Sequence, residues 1–296
     1  MLALITATRN SIATLENALS GTAPFAGRIK HYFVDSASSD GTRDYLESFV
    51  AKTNGSVLLS QTGTGLYQAL NQAVNAALVD SEVTHIGVLH SDDRVHSEHF
   101  SAYLSHIESS QCEFFYSDIE YHDKHDRRVR VWNAGQFSKG KLKTGWMPPH
   151  TSVVVSKRIY SDFGLYNPEF GTAADYEWLV RVLSSDDIGV SYYPQRTLSM
   201  LVGGTSNATL ATRIRANALD GKVWANRSLL ASWLIRVCKP TRKVLQFRPL
   251  AEWHKPTVAR NDRPRPSLLT TAGAVGHGAG PTHTLEPISQ LPAQDA

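Results

Sequence analysis

The sequence predicts an α/β protein with a mostly parallel central sheet flanked by helices, followed by a C-terminal helical extension. Three observations lead to this fold class. Short apolar runs alternate with helical segments through the first part of the chain. One run, Ile86–Leu89, leads directly into the acidic pair Asp92 and Asp93, and ligands of α/β sheets gather at the carboxyl ends of the strands. The 296 residues, 42% of them hydrophobic and 19% charged, suffice for a sizeable core.

Strands and helices alternate in the N-terminal part of the chain, which is the rhythm of right-handed parallel crossovers. Ser11 is placed to cap the first helix. In chain order the predicted elements are strand Leu2–Ala7, helix Ile12–Leu19, strand Ile29–Val34, helix Arg43–Val50, strand Val57–Leu59, helix Leu66–Val79 and strand Ile86–Leu89. The apolar face of the longest helix is formed by Leu66, Leu70, Val74 and Ala77.

In the middle of the chain the alternation of strands and helices is interrupted by a predicted hairpin and a long loop. The hairpin is indicated by two apolar stretches that flank a polar turn. The predicted elements are helix Phe100–Ile107, strand Glu113–Ser117 ending at Asp118, hairpin strands Ile119–Tyr121 and Arg128–Trp132, strand Ser152–Val155, helix Thr172–Leu183 and strand Val190–Tyr193.

We expect three regions: a main domain over residues 1–207, a basic helical extension over 208–258 and a disordered tail over 259–296. The tail is rich in Pro, Gly, Thr and Ala and has few large apolar residues to offset its ordering entropy. Cations of the extension are Arg213, Arg215, Lys222, Arg227, Arg236, Lys239, Arg242, Lys243 and Arg248. Two interpretations stay open: peripheral contact with an anionic membrane, or a helix packed on the main domain with its basic side solvated.

Composition argues against several classes of protein. A net charge of +3 does not indicate nucleic acid as a partner. The two cysteines, Cys112 and Cys238, are far apart and lack metal-ligand spacing, which favours a reducing compartment. We expect no signal peptide and no membrane-spanning segment, and hence a cytoplasmic protein, with the inner face of the plasma membrane as a peripheral location.

The acidic pair Asp92 and Asp93 is the first candidate for chemistry. Adjacent carboxylates repel each other unless a cation or a donor neutralises them. Mg²⁺ or Mn²⁺ carrying a diphosphate would do so, because these hard ions bind carboxylate and phosphate oxygens together. On the dipeptide alone, a solvated turn followed by a helix N-cap is the favoured explanation, because surface Asp-Asp pairs are common.

Five segments in order resemble the family 2 glycosyltransferases of the GT-A fold, especially the branch that builds bacterial surface polysaccharides. The segments are Ile5–Ser11, Val34–Thr42, Gly63–Ala77, Leu89–Asp93 and Pro148–Arg181. The resemblance implies an inverting, hexosyltransferase-type enzyme of cell-surface polysaccharide synthesis that depends on Mg²⁺ or Mn²⁺. Its donor would be a nucleotide-diphosphate sugar, and its acceptor a glycan or a lipid-linked sugar.

The resemblance also assigns roles to three carboxylates. Asp93 would ligate the divalent cation, and Asp92 would touch the ribose or the sugar. Asp175 matches the catalytic base, which accepts the proton of the acceptor hydroxyl. A first-turn helix acid that favours the macrodipole is the alternative, and the five segments together place catalysis ahead of it. Glu177, two residues further on the same helix, is the weaker candidate for the base.

Donor contacts are implied for the loops after the first two strands. Asp35 would contact the base of the donor, although an Asx-turn or helix cap is an alternative that suits Asp40 better. Thr6, Thr8 and Arg9 would lie along the nucleotide on the first strand-to-helix loop. Arg9 suits a diphosphate as a charged donor, and a plain surface arginine is nearly as good an explanation.

Further contacts are implied around the donor sugar. Gly65 and Asn71 would border the sugar, and Tyr67 is either a neighbour of the sugar or a core aromatic. His150 follows Pro148-Pro149 as the family's histidine does, and would reach the metal or the leaving phosphate. A structural histidine explains the same position as well.

The chain departs from the family pattern where acids are usual, at Gln61, Gly63 and Gln68. These departures put the donor's identity in doubt and support one alternative, a catalytically degenerate relative that binds nucleotide-sugar or glycan as a scaffold. A sugar nucleotidyltransferase is a less favoured alternative, because Thr6–Ser11 lacks the glycine-rich phosphate loop that such enzymes need.

Overall fold

The computed structural model describes residues 1–202, 219–224 and 235 of the chain. Within them, nine strands form one sheet in the order β3-β2-β1-β4-β8-β6-β9-β5, with β7 paired to β6. The strands are β1 Leu2–Thr8, β2 Ile29–Asp35, β3 Val57–Ser60, β4 His85–Val88, β5 Arg94–Val95, β6 Phe114–His122, β7 Arg128–Trp132, β8 Val154–Ser156 and β9 Val190–Leu201. The helices are α1 Ile12–Ser20, α2 Thr42–Lys52, α3 Leu66–Val79, α4 Ser97–Ser109, α5 Lys139–Leu142, α6 Lys157–Phe163 and α7 Ala174–Leu183.

Parallel pairing builds the N-terminal half of the sheet. β1 pairs in parallel with β2 and β4, and β2 with β3. In this register Thr8 lies opposite Asp35, and Asp35 opposite Ser60. The carboxyl ends of the strands therefore meet at one edge of the sheet, which is the edge where ligands bind in open α/β sheets. This half confirms the predicted α/β fold class.

Mixed pairing builds the other half of the sheet. β8 is antiparallel to both β4 and β6, whereas β6 and β9 are parallel. The hairpin of β6 and β7 is present as predicted. Asp118 does not end the strand, contrary to the sequence prediction, because β6 continues through it to His122. The register between β6 and β9 shifts beside Asp118, whose carboxylate accepts hydrogen bonds from the Ala134 amide and the Tyr192 hydroxyl.

Two apolar layers cover the faces of the sheet. Successive side chains of a strand point to opposite faces, so Ile5 and Leu4 of β1 enter different clusters. Ile5 packs in the larger cluster with α3 and α7 residues, including the fully buried Trp178. Leu4 packs with Phe100 of α4. Leu66, expected on the buried face of α3, is 42% exposed because it occupies the first position of the helix.

The predicted basic extension and tail lie mostly outside the described residues. Residues 219–224 are helical, and Trp224 is buried and donates a hydrogen bond from its indole nitrogen to the Tyr176 hydroxyl at 3.0 Å. This one turn therefore packs against α7. In the part of the chain that the structure describes, no helix is both long and apolar enough to cross a membrane.

Candidate active site

The acidic pair lies in the turn between β4 and β5, at the carboxyl edge of the parallel strands. Asp93 is 1% exposed, and one of its oxygens, Oδ2, accepts the His90 amide at 3.2 Å. Its other oxygen, Oδ1, is buried and has no hydrogen-bond partner among the described residues. Burial and the neighbouring charge of Asp92 raise the pKa of Asp93 well above its usual value. A buried carboxylate in this state calls for a cation or a donor.

A divalent cation fits this carboxylate. Within residues 1–202, 219–224 and 235, no three His, Cys, Asp or Glu side chains form a cage for a metal ion. Mg²⁺ is usually held by one or two carboxylates together with substrate phosphates and water, and needs no protein cage. The unpartnered oxygen of Asp93 and the adjacent, half-buried Asp92 supply that kind of donor set.

The ends of β1 and β2 are joined by Asp35, which is buried. Its carboxylate accepts hydrogen bonds from the Thr8 hydroxyl at 3.0 Å and from the Ser38 amide at 3.0 Å and hydroxyl at 2.6 Å. The Ser38 amide lies three residues after Asp35, so this bond closes a local turn one residue wider than the Asx-turn that the sequence offered as an alternative role. Asp35 therefore orders its own loop at the strand edge.

Asp40 caps two helices. It accepts the Thr42 amide at the start of α2 at 3.0 Å and the Ile12 amide at the start of α1 at 3.1 Å. The bond to Thr42, two residues on, is the Asx-turn that the sequence analysis favoured for Asp40 over Asp35. Ser11, predicted to cap α1, makes no side-chain capping bond to the helix, and its hydroxyl accepts a hydrogen bond from the Ser91 hydroxyl at 3.1 Å.

The three residues expected along the nucleotide occupy different places. Thr6 lies within β1 and Thr8 is its last residue, so neither is on the following loop, contrary to the sequence prediction. The Thr6 side chain is buried, and its hydroxyl lacks a partner among the described residues. Arg9 is in the loop and exposed. The strand continues further than predicted because β1 pairs with β2 as far as Asp35.

Glutamines hold the loop before α3, where the family usually has acids. The Gln61 side chain accepts a hydrogen bond from the Ser36 hydroxyl and donates one to the Gly65 carbonyl at 2.9 Å. Gln68 accepts the Thr64 amide at 2.6 Å. Gly65 has a φ of 96°, a conformation that favours glycine. Gln61 and Gln68, which stand where the family usually has acids, thus hold the loop by hydrogen bonds to its own backbone.

Two histidines lie side by side near the acidic pair. The ring centroids of His90 and His150 are 6.3 Å apart. Burial lowers the pKa of each to about 4, and the neighbouring His150 adds to the effect on His90. Nε2 of His150 is 2.9 Å from the Tyr166 hydroxyl. Both imidazoles are therefore neutral at pH 7.

Asp175 belongs to the same constellation as the acidic pair. It lies in the first turn of α7, and its Oδ1 accepts the Tyr176 amide at 2.7 Å. Burial, followed by the charge of Asp175, raises the pKa of Tyr67, which is hydrogen-bonded to it. Burial lowers the pKa of His90, and the charges of Asp92 and Asp175 both oppose that shift. The two carboxylates thus act on one imidazole.

Glu177 has a structural role. Its carboxylate receives two hydrogen bonds from Arg181, at 3.0 and 2.9 Å, and Arg181 also donates to the Leu165 carbonyl at 2.8 Å. The pair ties α7 to the segment that follows α6. The Glu177 carboxylate is thus occupied by Arg181, and the ranking of Asp175 above Glu177 as a base stays a prediction.

Asn71 and Tyr166 form a contact that sequence reasoning missed. The Asn71 amide nitrogen donates to the Tyr166 carbonyl at 2.8 Å, and its oxygen accepts the Tyr166 amide at 3.0 Å. Tyr166 falls inside a segment that carries the family resemblance, but no pattern in the sequence distinguished it from the neighbouring aromatics. Its partner Asn71 lies 95 residues away in the chain, so only the folded structure reveals this contact.

Comparison with known proteins places the chain among glycosyltransferases. The sequence model described as Glycosyl transferase family 2 matches residues 3–157. No curated protein sequence matches the chain.

Solved structures show the same fold. Residues 1–349 of TarS from S. aureus give a TM-score of 0.56 at 12% identity, over 84% of this chain and 93% of that chain. The same fragment in complex with UDP-GlcNAc gives 0.59 at 15% identity, over 79% and 70%. The mannosyltransferase PcManGT from Pyrobaculum calidifontis, in complex with GDP-Man and Mn²⁺, gives 0.56 at 14% identity, over 81% and 71%. These likenesses confirm the GT-A fold.

Proposed function

The chain belongs to glycosyl transferase family 2, and we propose that it transfers a sugar from a nucleotide-diphosphate donor to a hydroxyl of a glycan or lipid-linked acceptor, with inversion. One observation carries the proposal. A buried carboxylate with an unpartnered oxygen, Asp93, lies at the carboxyl edge of the sheet, and the charges of Asp92 and Asp175 act on the same histidine there.

In this proposal Asp93, helped by Asp92, holds Mg²⁺ or Mn²⁺. The metal, when bound, neutralises the diphosphate as it leaves, and this matters most in the transition state. The TarS fragment binds UDP-GlcNAc, and PcManGT was solved with GDP-Man and Mn²⁺. These complexes support both a nucleotide-sugar donor and a divalent metal for a chain of this fold.

The acceptor side of the reaction falls to Asp175. As general base it takes the proton of the acceptor hydroxyl while that oxygen attacks the anomeric carbon on the face opposite the diphosphate. Attack from that face inverts the anomeric configuration. The hydrogen bond between Asp175 and Tyr67 orients the carboxylate for this step.

The donor lies, in this proposal, along the ends of β1 and β2. Asp35, with Thr8 and the loop residue Arg9, borders the nucleotide, and Thr6 lies beneath them in β1.

Gly65 and His150 border the sugar and the phosphates, and Asn71 takes part through Tyr166. Cell-surface polysaccharide synthesis, a cytoplasmic location and peripheral membrane contact stay predictions from the sequence.

The proposal is tested with two conservative variants and a set of donors. A ligand that binds only the native protein raises its melting temperature, so UDP-, GDP- and dTDP-sugars are screened with and without Mn²⁺. With the donor identified, we expect Asp93→Asn to lose the Mn²⁺-dependent part of the stabilisation and the transfer activity. Asp175→Asn should keep the stabilisation by donor and lose transfer.

Retained turnover in either variant would show that the role given to that carboxylate is wrong. Glu47→Gln, an exposed carboxylate of α2, serves as the matched control and should behave as the unmodified protein. Donor binding without transfer or hydrolysis at any metal concentration, in the unmodified protein, would favour the catalytically degenerate alternative.

A further inference from the structure

Tyr166 connects His150, one of the two histidines near the acidic pair, to the larger apolar cluster of the sheet. Its hydroxyl is 2.9 Å from Nε2 of His150 and 2.8 Å from the hydroxyl of Tyr160. Its backbone amide and carbonyl are both bound by the Asn71 side chain. Both ends of this residue are therefore fixed, one by a helix of the parallel half and the other by the aromatic core.

The ring of Tyr166 is also confined. It is 3% exposed, and its centroid lies 5.6 Å from that of Tyr67 and 5.3 Å from that of Trp178. Tyr67 is the residue hydrogen-bonded to Asp175. Packed interiors do not deform continuously, so the hydroxyl of Tyr166 presents a fixed partner to His150.

The bond from Tyr166 leaves a single nitrogen of His150 for the active site. A tyrosine hydroxyl can donate to a ring nitrogen or accept from it, so this contact fixes where the ring lies without selecting a tautomer. With Nε2 engaged by Tyr166, Nδ1 is the ring nitrogen that remains for a ligand. Hydrogen-bond partners outside a site hold a functional imidazole in one orientation.

We propose that Tyr166 is a positioning residue that fixes the ring orientation of His150, and that Asn71 serves the reaction by holding Tyr166 in place. The inference rests on the proposed transferase function and deepens it. It moves Asn71 from the border of the sugar to the support of the site, and it adds Tyr166, for which no sequence pattern indicated a role.

The first test compares two tyrosine-to-phenylalanine variants. Tyr166→Phe keeps the ring and removes the hydroxyl that meets His150. Tyr116→Phe is the control, because it removes a buried hydroxyl that donates to the Gly135 carbonyl at 2.8 Å, within the same core cluster. We expect Tyr166→Phe to lower kcat about tenfold with an unchanged KM for the donor, and Tyr116→Phe to leave both constants near those of the unmodified protein.

A double-mutant cycle separates positioning from general loosening of the core. If Tyr166 acts through His150, then adding Tyr166→Phe to His150→Gln should lower kcat no further than His150→Gln alone. Independent effects that multiply would overturn the inference. So would equal losses of kcat in the Tyr166 and Tyr116 variants, since these would reflect stability only.

A spectroscopic test does not depend on turnover. Ring-nitrogen NMR of protein labelled with ¹⁵N-histidine reports the hydrogen bonding of each imidazole, and the His150 signal is assigned by its loss in His150→Gln. We expect the Nε2 signal of His150 to shift in Tyr166→Phe, because its partner at 2.9 Å is removed, and to stay unchanged in Tyr116→Phe. An unchanged His150 signal in Tyr166→Phe would overturn the inference. Absence of transfer in the unmodified protein would instead count against the proposed function.

Discussion

His31 illustrates how burial sets the state of a single side chain. The Thr22 hydroxyl donates to the Leu19 carbonyl at 2.8 Å, so at its 3.0 Å contact with His31 it accepts the proton of Nε2. Nδ1 of His31 is buried without a partner in the described part of the chain. Burial lowers the pKa of His31 to about 4. The ring is therefore neutral in the folded protein.

This buried imidazole makes the fold sensitive to acid. His31 has a pKa near 6.5 in the unfolded chain and a pKa of about 4 in the folded chain. Its contribution to the unfolding free energy is therefore fully present above pH 6.5 and is lost as the pH falls towards 4, because the unfolded chain then binds the proton and the folded chain does not. We predict that His31→Gln reduces the loss of unfolding free energy between pH 7.5 and pH 5 by about 2 kcal/mol. Urea unfolding at the two pH values measures this difference.

The control for this measurement is His125→Gln. His125 is exposed, in the turn between β6 and β7, so its removal should leave the pH dependence as it is. His90 and His150 are present in both variants, and their contributions cancel in the comparison. An unchanged pH dependence in His31→Gln would contradict the assignment of a neutral, buried ring.

At the scale of elements, the contact between α1 and β5 supports the acidic pair. Gly21 ends α1, and a Cβ at this position would lie 3.0 Å from the Val95 carbonyl and 3.2 Å from its Cβ. Val95 belongs to β5, two residues after Asp93. A methyl group at Gly21 would therefore push the strand that follows the proposed metal ligand.

We predict that Gly21→Ala destabilises the protein by about 1–2 kcal/mol and raises the Mn²⁺ concentration needed for half-maximal stabilisation by the donor. Melting temperatures measured across a Mn²⁺ titration give both quantities. Gly27→Ala is the control, because a Cβ there meets nothing within 4 Å. Equal melting temperatures and equal Mn²⁺ requirements in the two variants would show that the contact of α1 with β5 does not affect the proposed metal site.

Elements were predictable where their own residues define them. Helix α3 has the predicted bounds, Leu66–Val79, and the first three strands differ from prediction by one residue at an end. β5 was missed because two residues, Arg94–Val95, carry no periodicity and form a strand only by pairing with β9. β9 runs to Leu201, beyond the predicted Tyr193, for the same reason: its second part pairs with β6.

The candidate site was predicted from the family resemblance more than from local patterns, and the roles of its residues stay predictions. The resemblance marked the acidic pair and Asp175, and in the structure the charges of Asp92 and Asp175 act on one histidine. Tyr166 and the loop role of Gln61 depend on partners from other elements. Such contacts exist only after folding, so local sequence patterns do not reveal them.

At the scale of the whole molecule, the basic segment after residue 208 leads to a prediction about membranes. Cations near an anionic surface each contribute about 1 kcal/mol of attraction. We expect the full chain to sediment with anionic vesicles at low salt, and Lys239→Gln, Arg242→Gln and Lys243→Gln together to weaken that binding at least tenfold. Vesicle co-sedimentation at two salt concentrations measures the loss.

Charge-matched substitutions elsewhere serve as the control. Lys52, Lys124 and Lys143 are exposed on the main domain, and their change to glutamine should leave vesicle binding nearly intact. Equal losses in the two triple variants would show that net charge alone attracts the protein to the surface. Binding to neutral vesicles would also contradict an electrostatic contact.

The place of β8 in the sheet has a consequence for how the chain is made. β8 lies between β4 and β6, yet it is synthesised after both. A nascent polypeptide leaving the ribosome therefore carries an uncovered edge on β4 until Ser156 has emerged, and bare strand edges invite pairing between chains. Slower synthesis of the stretch between β4 and β8 should therefore lengthen the time for which a half-made chain can pair with another copy.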